Sequence, residues 1–193
     1  MSPRTILPAV ALSLVTWLGA GQSGRAAETY AADTTHSSVV YRVKHMNTSF
    51  AWGRFNDIKG AFTLDESNPA EGRFEFQVKA DSVDTADAKR DQHLKSPDFF
   101  NVVQFPTITF KSQSITKSGN AYEVSGDLTL HGVTKPVAVR VVPTGTGKDM
   151  RGTPIAGIEA TLSIRRSDFG MTKMIPAVGD DVWVNVSIEG ARK

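Results

Sequence analysis

Apolar residues at every second position, in one stretch after another, constrain this chain more than any other feature. From 122 to 130, Tyr122, Val124, Gly126, Leu128 and Leu130 alternate with Glu123, Ser125, Asp127 and Thr129. Successive strand side chains point to opposite faces, so this is a strand with one wet and one dry side. The pattern recurs at 37–45, where Val39, Tyr41 and Val43 share a parity, and at 73–79, where Phe74, Phe76 and Val78 do. It returns with Ile108 and Phe110, with Val137, Val139 and Val141, with Ile158 and Leu162, and with Val182, Val184, Val186 and Ile188. A longer β segment covers 50–64, and Gly53 and Gly60 mark bends or bulges in it. Turn residues crowd 65–72, 118–120 and 131–136, and a long loop is expected over 143–154.

The count is eight strands with no helix of 10–15 residues between them, which argues against a parallel α/β sheet. An all-β fold follows. The early glycine bends and the even strand number favour a closed eight-stranded antiparallel barrel over a two-sheet sandwich. A barrel of this size has an interior that side chains can fill or that holds one small ligand. Alternation alone does not choose between them.

Two segments break the pattern. The first, from Arg90-Asp91-Gln92-His93-Leu94 to Phe110, is charged and then rich in Phe. Asp84 or Thr85 can cap a short helix running to about Leu94, with Ala86, Arg90 and Leu94 as its docking stripe. Ser96-Pro97 repeats the start signal. This helical insert lies between the third and fourth strands and is expected to close or cover the barrel. The second segment, Phe169 to Val178, is apolar but broken by Gly170 and Pro176. Adaptable Met171 and Met174, with Phe169, suit a pocket lid, or equally a plug packed on the barrel end.

Residues 1–26 read as a secretory signal peptide: Arg4 is followed by an apolar run from Ile6 to Leu18 and by Gly24-Arg25-Ala26 at a cleavage site. The run is too short for a membrane span. Residues 27–193 are then one domain. Without Arg4 and Arg25, twenty basic residues face twenty acidic ones, so charge gives no case for nucleic acid. With no cysteine, disulfides and thiolate metal sites are excluded.

Chemistry-bearing motifs are sparse. No nucleophile elbow or zinc-protease motif occurs, and no two of the four His have metal-ligand spacing. His36 and His131 read as structural. His45 falls on the dry parity of its strand, as a core histidine or as a polar contact to an enclosed ligand. Arg90 and Asp91 either hold the insert to the rim or meet a ligand head group. In Arg165-Arg166-Ser167-Asp168 the expectation is an Arg–Asp pair. No catalysis, metal or resident cofactor is expected. A homodimer is compatible with the pattern.

Asp33-Thr34-Thr35-His36-Ser37, Val43-Lys44-His45, Gly53-Arg54-Phe55, Arg90-Asp91-Gln92-His93-Leu94, Asp98-Phe99-Phe100, Gly126-Asp127-Leu128-Thr129-Leu130-His131-Gly132 and Arg166-Ser167-Asp168-Phe169-Gly170 stand in that order. In this the chain resembles the YceI-like family, the lipocalin-like polyisoprenoid-binding proteins of the bacterial periplasm. Tyr41 stands where the family pattern has Phe. The resemblance implies a lipocalin-like barrel with an elongated apolar pore for an isoprenoid lipid or quinone, and no catalysis. The walls would then be Val39, Tyr41, Val43, Phe74, Phe76, Val78, Ile108, Phe110, Tyr122, Val124, Leu128, Ile158 and Leu162. His45, Arg90, Asp91, Asp168, Phe169, Met171 and Met174 would be head-group or rim candidates. The rival readings are a structural or stress-protective barrel with a filled core, and a lipid-modifying enzyme using His45, Arg90 or Asp91 as acid–base groups.

Overall fold

A computed structural model describes residues 28–65 and 67–193; the expected signal peptide at 1–26 lies outside the described residues. The strands are β1 (Thr29–Ala32), β2 (Ser38–His45), β3 (Ser49–Phe55), β4 (Ile58–Thr63), β5 (Arg73–Lys79) and the short β6 (Val83–Asp84). After α1 (Ala88–Lys95) come β7 (Thr107–Ser118), β8 (Ala121–Leu130), β9 (Val133–Lys148), β10 (Pro154–Arg165) and β11 (Val178–Arg192).

All pairings are antiparallel, and the sheet closes on itself through β1 and β11. The ring β1-β4-β5-β7-β8-β9-β10-β11 has eight strands. Towards the other end β2 replaces β1 along β11, with Val184 opposite Tyr41, and β3 replaces β4 beside it. Two wall positions are therefore each built from two consecutive strands. This is why the expected single segment over 50–64 divides at Asn56–Asp57, and why β1 was missed: four residues are too few to show alternation.

Two other expectations change. The 143–154 loop is mostly strand. Gly145 takes φ 150° opposite Gly157, and a register shift beside Gly157 lets the β9–β10 ladder continue to Lys148. Glycine allows that backbone without a Cβ penalty. The cap of α1 is Asp87, whose carboxylate accepts the Arg90 N–H, because Ala86 already turns with φ 61°. Ala86 thus lies outside the helix, and Ser96 ends α1 rather than starting a second helix.

The interior has two unlike ends. At the end carrying β1, Phe62 and Phe74 stack with ring centroids 6.2 Å apart, and Tyr30 stacks on Phe62 at 5.4 Å. Tyr122, Val124, Ile115 and Ile188 pack there with little or no exposure. Towards α1 the inward rows lose that density. Val182, Val184 and Val186 point inward yet are only half-buried, whereas Ile188 on the same row is buried. Half-exposure on the dry face of a closed barrel means that the face borders a void.

Candidate functional site: an apolar cavity under the helical insert

That void is a cavity of about 210 Å³. Phe76 on β5 and Ile108 and Phe110 on β7 form one side of it. Ala160 and Leu162 on β10 and Val182, Val184 and Val186 on β11 stand three or four ring positions away and form the other. Val39, Tyr41 and Val43 on β2 and Phe55 on β3 complete the wall. Leu94, Phe99 and Phe100 of the insert and Met171 and Val178 of the second irregular segment reach in at the end. Period two explains the walls: every second residue of each strand must face inward, and here nearly all of these are hydrocarbon.

The insert is braced by its own polar groups against Thr85, the residue that follows β6. Asp91 accepts the Thr85 N–H at 2.8 Å, and Arg90 donates from Nε and Nη2 to the Thr85 hydroxyl and carbonyl, each at 2.8 Å. Phe100 packs edge-on against Phe55 with centroids 5.4 Å apart. The insert also meets the second irregular segment: Asp98 accepts from His93 at 3.1 Å and pairs with Lys173 at 3.4 Å. The His93 hydrogen bond, aided by the Lys173 charge, holds the Asp98 carboxyl below the usual carboxylate range.

Arg166 anchors that second segment. It is the buried charged residue among those described, at 4% exposure. Its guanidinium donates to the carbonyls of Gly179 (2.8 Å), Met171 (2.7 Å) and Val178 (2.8 Å). Burial pushes its pKa down, and the Asp180 charge opposes the shift. Asp180 is itself held by the Ser167 N–H and hydroxyl. His131 closes the seam: its Nδ1 lies 3.1 Å from the Phe169 carbonyl and its ring 4.7 Å from that of Phe105.

Of the thirteen wall residues expected, eleven line the cavity; Tyr122 and Val124 do not. Both face inward but sit in the solid end, 2% and 1% exposed. Among the rim candidates only Met171 lines the cavity. His45 is exposed where β2 runs into a turn made by Met46 and Asn47, both with positive φ, so strand parity no longer governs it. Arg90 and Asp91 are spent on Thr85. Asp168 pairs with Arg165 on the surface at 3.1 Å. Phe169 is buried against Leu128, Leu130 and Met171, outside the cavity lining, and Met174 is exposed. Reading strand parity missed the β11 valines as walls, although their row was visible. It missed Leu94, Phe99 and Phe100 because an insert has no period to extend. Nothing in the sequence separates Arg166, which binds carbonyls, from Arg165, which takes the expected Asp partner.

A family profile described as the YceI-like domain matches residues 30–190. The chain belongs to the YceI-like family. A UPF0312 protein of Pectobacterium carotovorum is 36% identical over 193 residues, covering all of both chains. Among solved structures, BcnA of Burkholderia cenocepacia superposes with a TM-score of 0.75 at 25% identity, over 82% of this chain and 98% of the other. A polyisoprenoid binding domain from Saccharophagus degradans shares the fold, with a TM-score of 0.66 at 14% identity over 85% of this chain and 98% of that one. YceI-like membership and the closed eight-stranded barrel with one short helix thus stand together.

Proposed function

We propose that this protein is a periplasmic carrier or sequestering protein for a polyisoprenoid, an isoprenoid quinone or another long-chain amphiphile, held in the cavity beneath α1. The observation that carries the reading is a void walled almost wholly by hydrocarbon side chains. An isoprenoid tail offers no hydrogen bonds, so its site needs only apolar walls and length. At ~0.8 kcal/mol per buried CH₂, roughly ten carbons supply several kcal/mol after ordering costs. Water in the same space would find almost no partners. The Saccharophagus relative's polyisoprenoid binding supports the ligand class, and the signal peptide expected at 1–26 supports the compartment. Binding is favoured over turnover because Arg90 and Asp91 are committed to holding the insert and His45 lies outside the cavity.

Organic extraction of the purified protein followed by mass spectrometry tests this reading. The expected result is a co-purifying long-chain lipid, or uptake of added ubiquinone by stripped protein. Finding neither would overturn it.

A further inference from the structure

The apolar residues left on the surface are not spread evenly. Among the described residues seven large ones are exposed, and five of them, Met46, Phe50, Trp52, Met174 and Ile175, belong to one corner. Met46 lies in the turn between β2 and β3, and its N–H donates to the Ala177 carbonyl at 2.7 Å, so that turn abuts the second irregular segment. Phe50 and Trp52 stand opposite Lys44 and Arg42 across the β2–β3 ladder. The corner is at the hollow end of the barrel: Met171 and Val178, on either side of Met174 and Ile175 in the chain, line the cavity.

Strand parity turns Phe50 and Trp52 outward, since Gly53 and Phe55 on the same strand are buried. Their face continues across β2 onto β11, where Arg42 pairs with Trp183. The Arg42 guanidinium sits 4.6 Å from the centre of the Phe50 ring, 5.4 Å from that of Trp183 and 5.7 Å from that of Trp52, and the Lys44 ammonium lies 5.0 Å from Phe50. Among the described residues neither cation has a carboxylate partner. Asp181, two residues from Trp183 on the same face, stands opposite Arg165. Cation–π contacts hold the cluster together, yet they leave Trp52 51% exposed and Met46 60% exposed. Exposed apolar residues gathered in this way mark an interaction surface.

The mixture of side chains selects the occupant. Aromatic rings beside Arg and Lys suit the boundary of a bilayer, where rings settle at headgroup level and cations meet phosphates. A second copy fits less well, because a two-fold contact through this corner sets Arg42 and Lys44 against the same cations. We propose that the corner docks the hollow end of the barrel onto an anionic phospholipid surface, with Met46, Phe50, Trp52, Met174 and Ile175 entering the headgroup boundary. This goes beyond the carrier reading and does not require the cavity to be loaded.

The test uses residues 27–193, which include the whole described barrel and in which Trp52 and Trp183 are the only tryptophans. Their emission therefore reports this corner. With vesicles of equimolar phosphatidylcholine and phosphatidylglycerol at low salt, the protein should float with the lipid, its emission should move to the blue, and brominated phospholipid should quench it. Arg42→Gln with Lys44→Gln should weaken binding about tenfold. Phe50→Ser with Trp52→Ser should also weaken it, whereas Met150→Ser, in the β9–β10 turn at the opposite end, should leave it unchanged. Melting temperature, and uptake of the apolar dye N-phenyl-1-naphthylamine without vesicles, check that each variant keeps its barrel. No binding by wild type, or binding that the double Gln variant retains in full, overturns the docking surface and leaves the carrier reading intact. Self-association of wild type that Trp52→Ser abolishes gives the corner to a second copy and also overturns it. Failure of the dye to enter wild type counts against the carrier reading alone.

Discussion

The same substitution placed at the two ends of the barrel should have unequal costs. Val124 and Val184 are both inward-facing strand valines. Val124 is 1% exposed in the solid end, opposite Ile115 and Val139. Val184 is half-buried, lies between Tyr41 and Leu162, and borders the cavity. Val→Ala removes the equivalent of two methylene groups. At Val124 this forfeits about 1.6 kcal/mol of transfer energy at ~0.8 kcal/mol per CH₂, and the cavity left in a packed surround raises the total to about 2.5 kcal/mol. At Val184 the methyls already face empty space on one side and have fewer contacts to lose, so the expected cost is about 1 kcal/mol or less. For a chain of this length the difference is about 3–6 °C in melting temperature. Urea titration of both variants, stripped of lipid and followed by circular dichroism, measures the free-energy difference, and thermal melts read the shift in melting temperature. Equal losses, or a larger loss at Val184, would show that the upper interior is filled and would remove the physical basis of the carrier reading. Adding a ligand should then enlarge the Val184→Ala penalty specifically, because the deleted methyls would by then have a partner.

Arg166→Met leaves three buried carbonyls without their donor and should cost about 3 kcal/mol or more. Hydrogen exchange should show lost protection at Met171 and Val178, and unchanged protection there would refute the anchor. Gly60→Ala would place a Cβ 2.2 Å from the Glu75 carbonyl at φ 148°, and a loss of about 2 kcal/mol or more is expected in the same urea assay. His36 sits on the surface, its Nδ1 2.9 Å from Asp33 and 3.7 Å from Glu189. The Asp33 hydrogen bond, then the Asp33 and Glu189 charges, raise the His36 pKa above 6.5, and the His36 hydrogen bond lowers that of Asp33. His36 therefore contributes stability that is complete below pH 6.5 and fades as pH rises through its elevated folded value. Asp33 contributes stability that is lost as pH falls through its depressed value. An NMR titration should find the His36 pKa moving back towards 6.5 in Asp33→Asn; no movement would contradict the pairing.

What was legible in the sequence is what period two encodes. Alternation at Tyr122–Leu130, Phe74–Val78 and Ala156–Ile164 assigns each residue a face, and the structure keeps those faces. Alternation is blind to position along the barrel axis. Tyr122, Val124 and Leu128 look alike in the sequence, yet only Leu128 borders the void, because β8 runs from the packed end to the hollow one. It is equally silent where strands stop. His45 continues the dry parity of β2 by one residue too many, and the turn at Met46–Asn47 exposes it. Arg90 and Asp91 are spaced as any helix surface would be. Their attachment to Thr85 depends on the reversal at Ala86, which no residue type announces.

A hollow apolar interior needs a reason not to collapse, and the residue types at the two ends supply it. The ladder closes through β1 and β11, so hydrogen bonds fix the circumference and strands cannot move inward singly. Within a fixed ring, side-chain length decides whether opposite walls meet. At the packed end Tyr30, Phe62, Phe74 and Tyr122 reach the middle, and their rings fill it. At the other end β10 and β11 present Ala160, Leu162, Val182, Val184 and Val186, which are too short to close on Phe76 and Phe110 three or four ring positions away. Val and Ile are also stiff at χ1 and cannot lean in to fill the gap. The void thus follows from short branched residues on one wall of a closed ring. Long flexible replacements there, such as Val184→Met with Val186→Met, should fill the cavity. They should stabilise the empty barrel while abolishing dye uptake, an outcome that thermal melting and dye titration of one sample would read together.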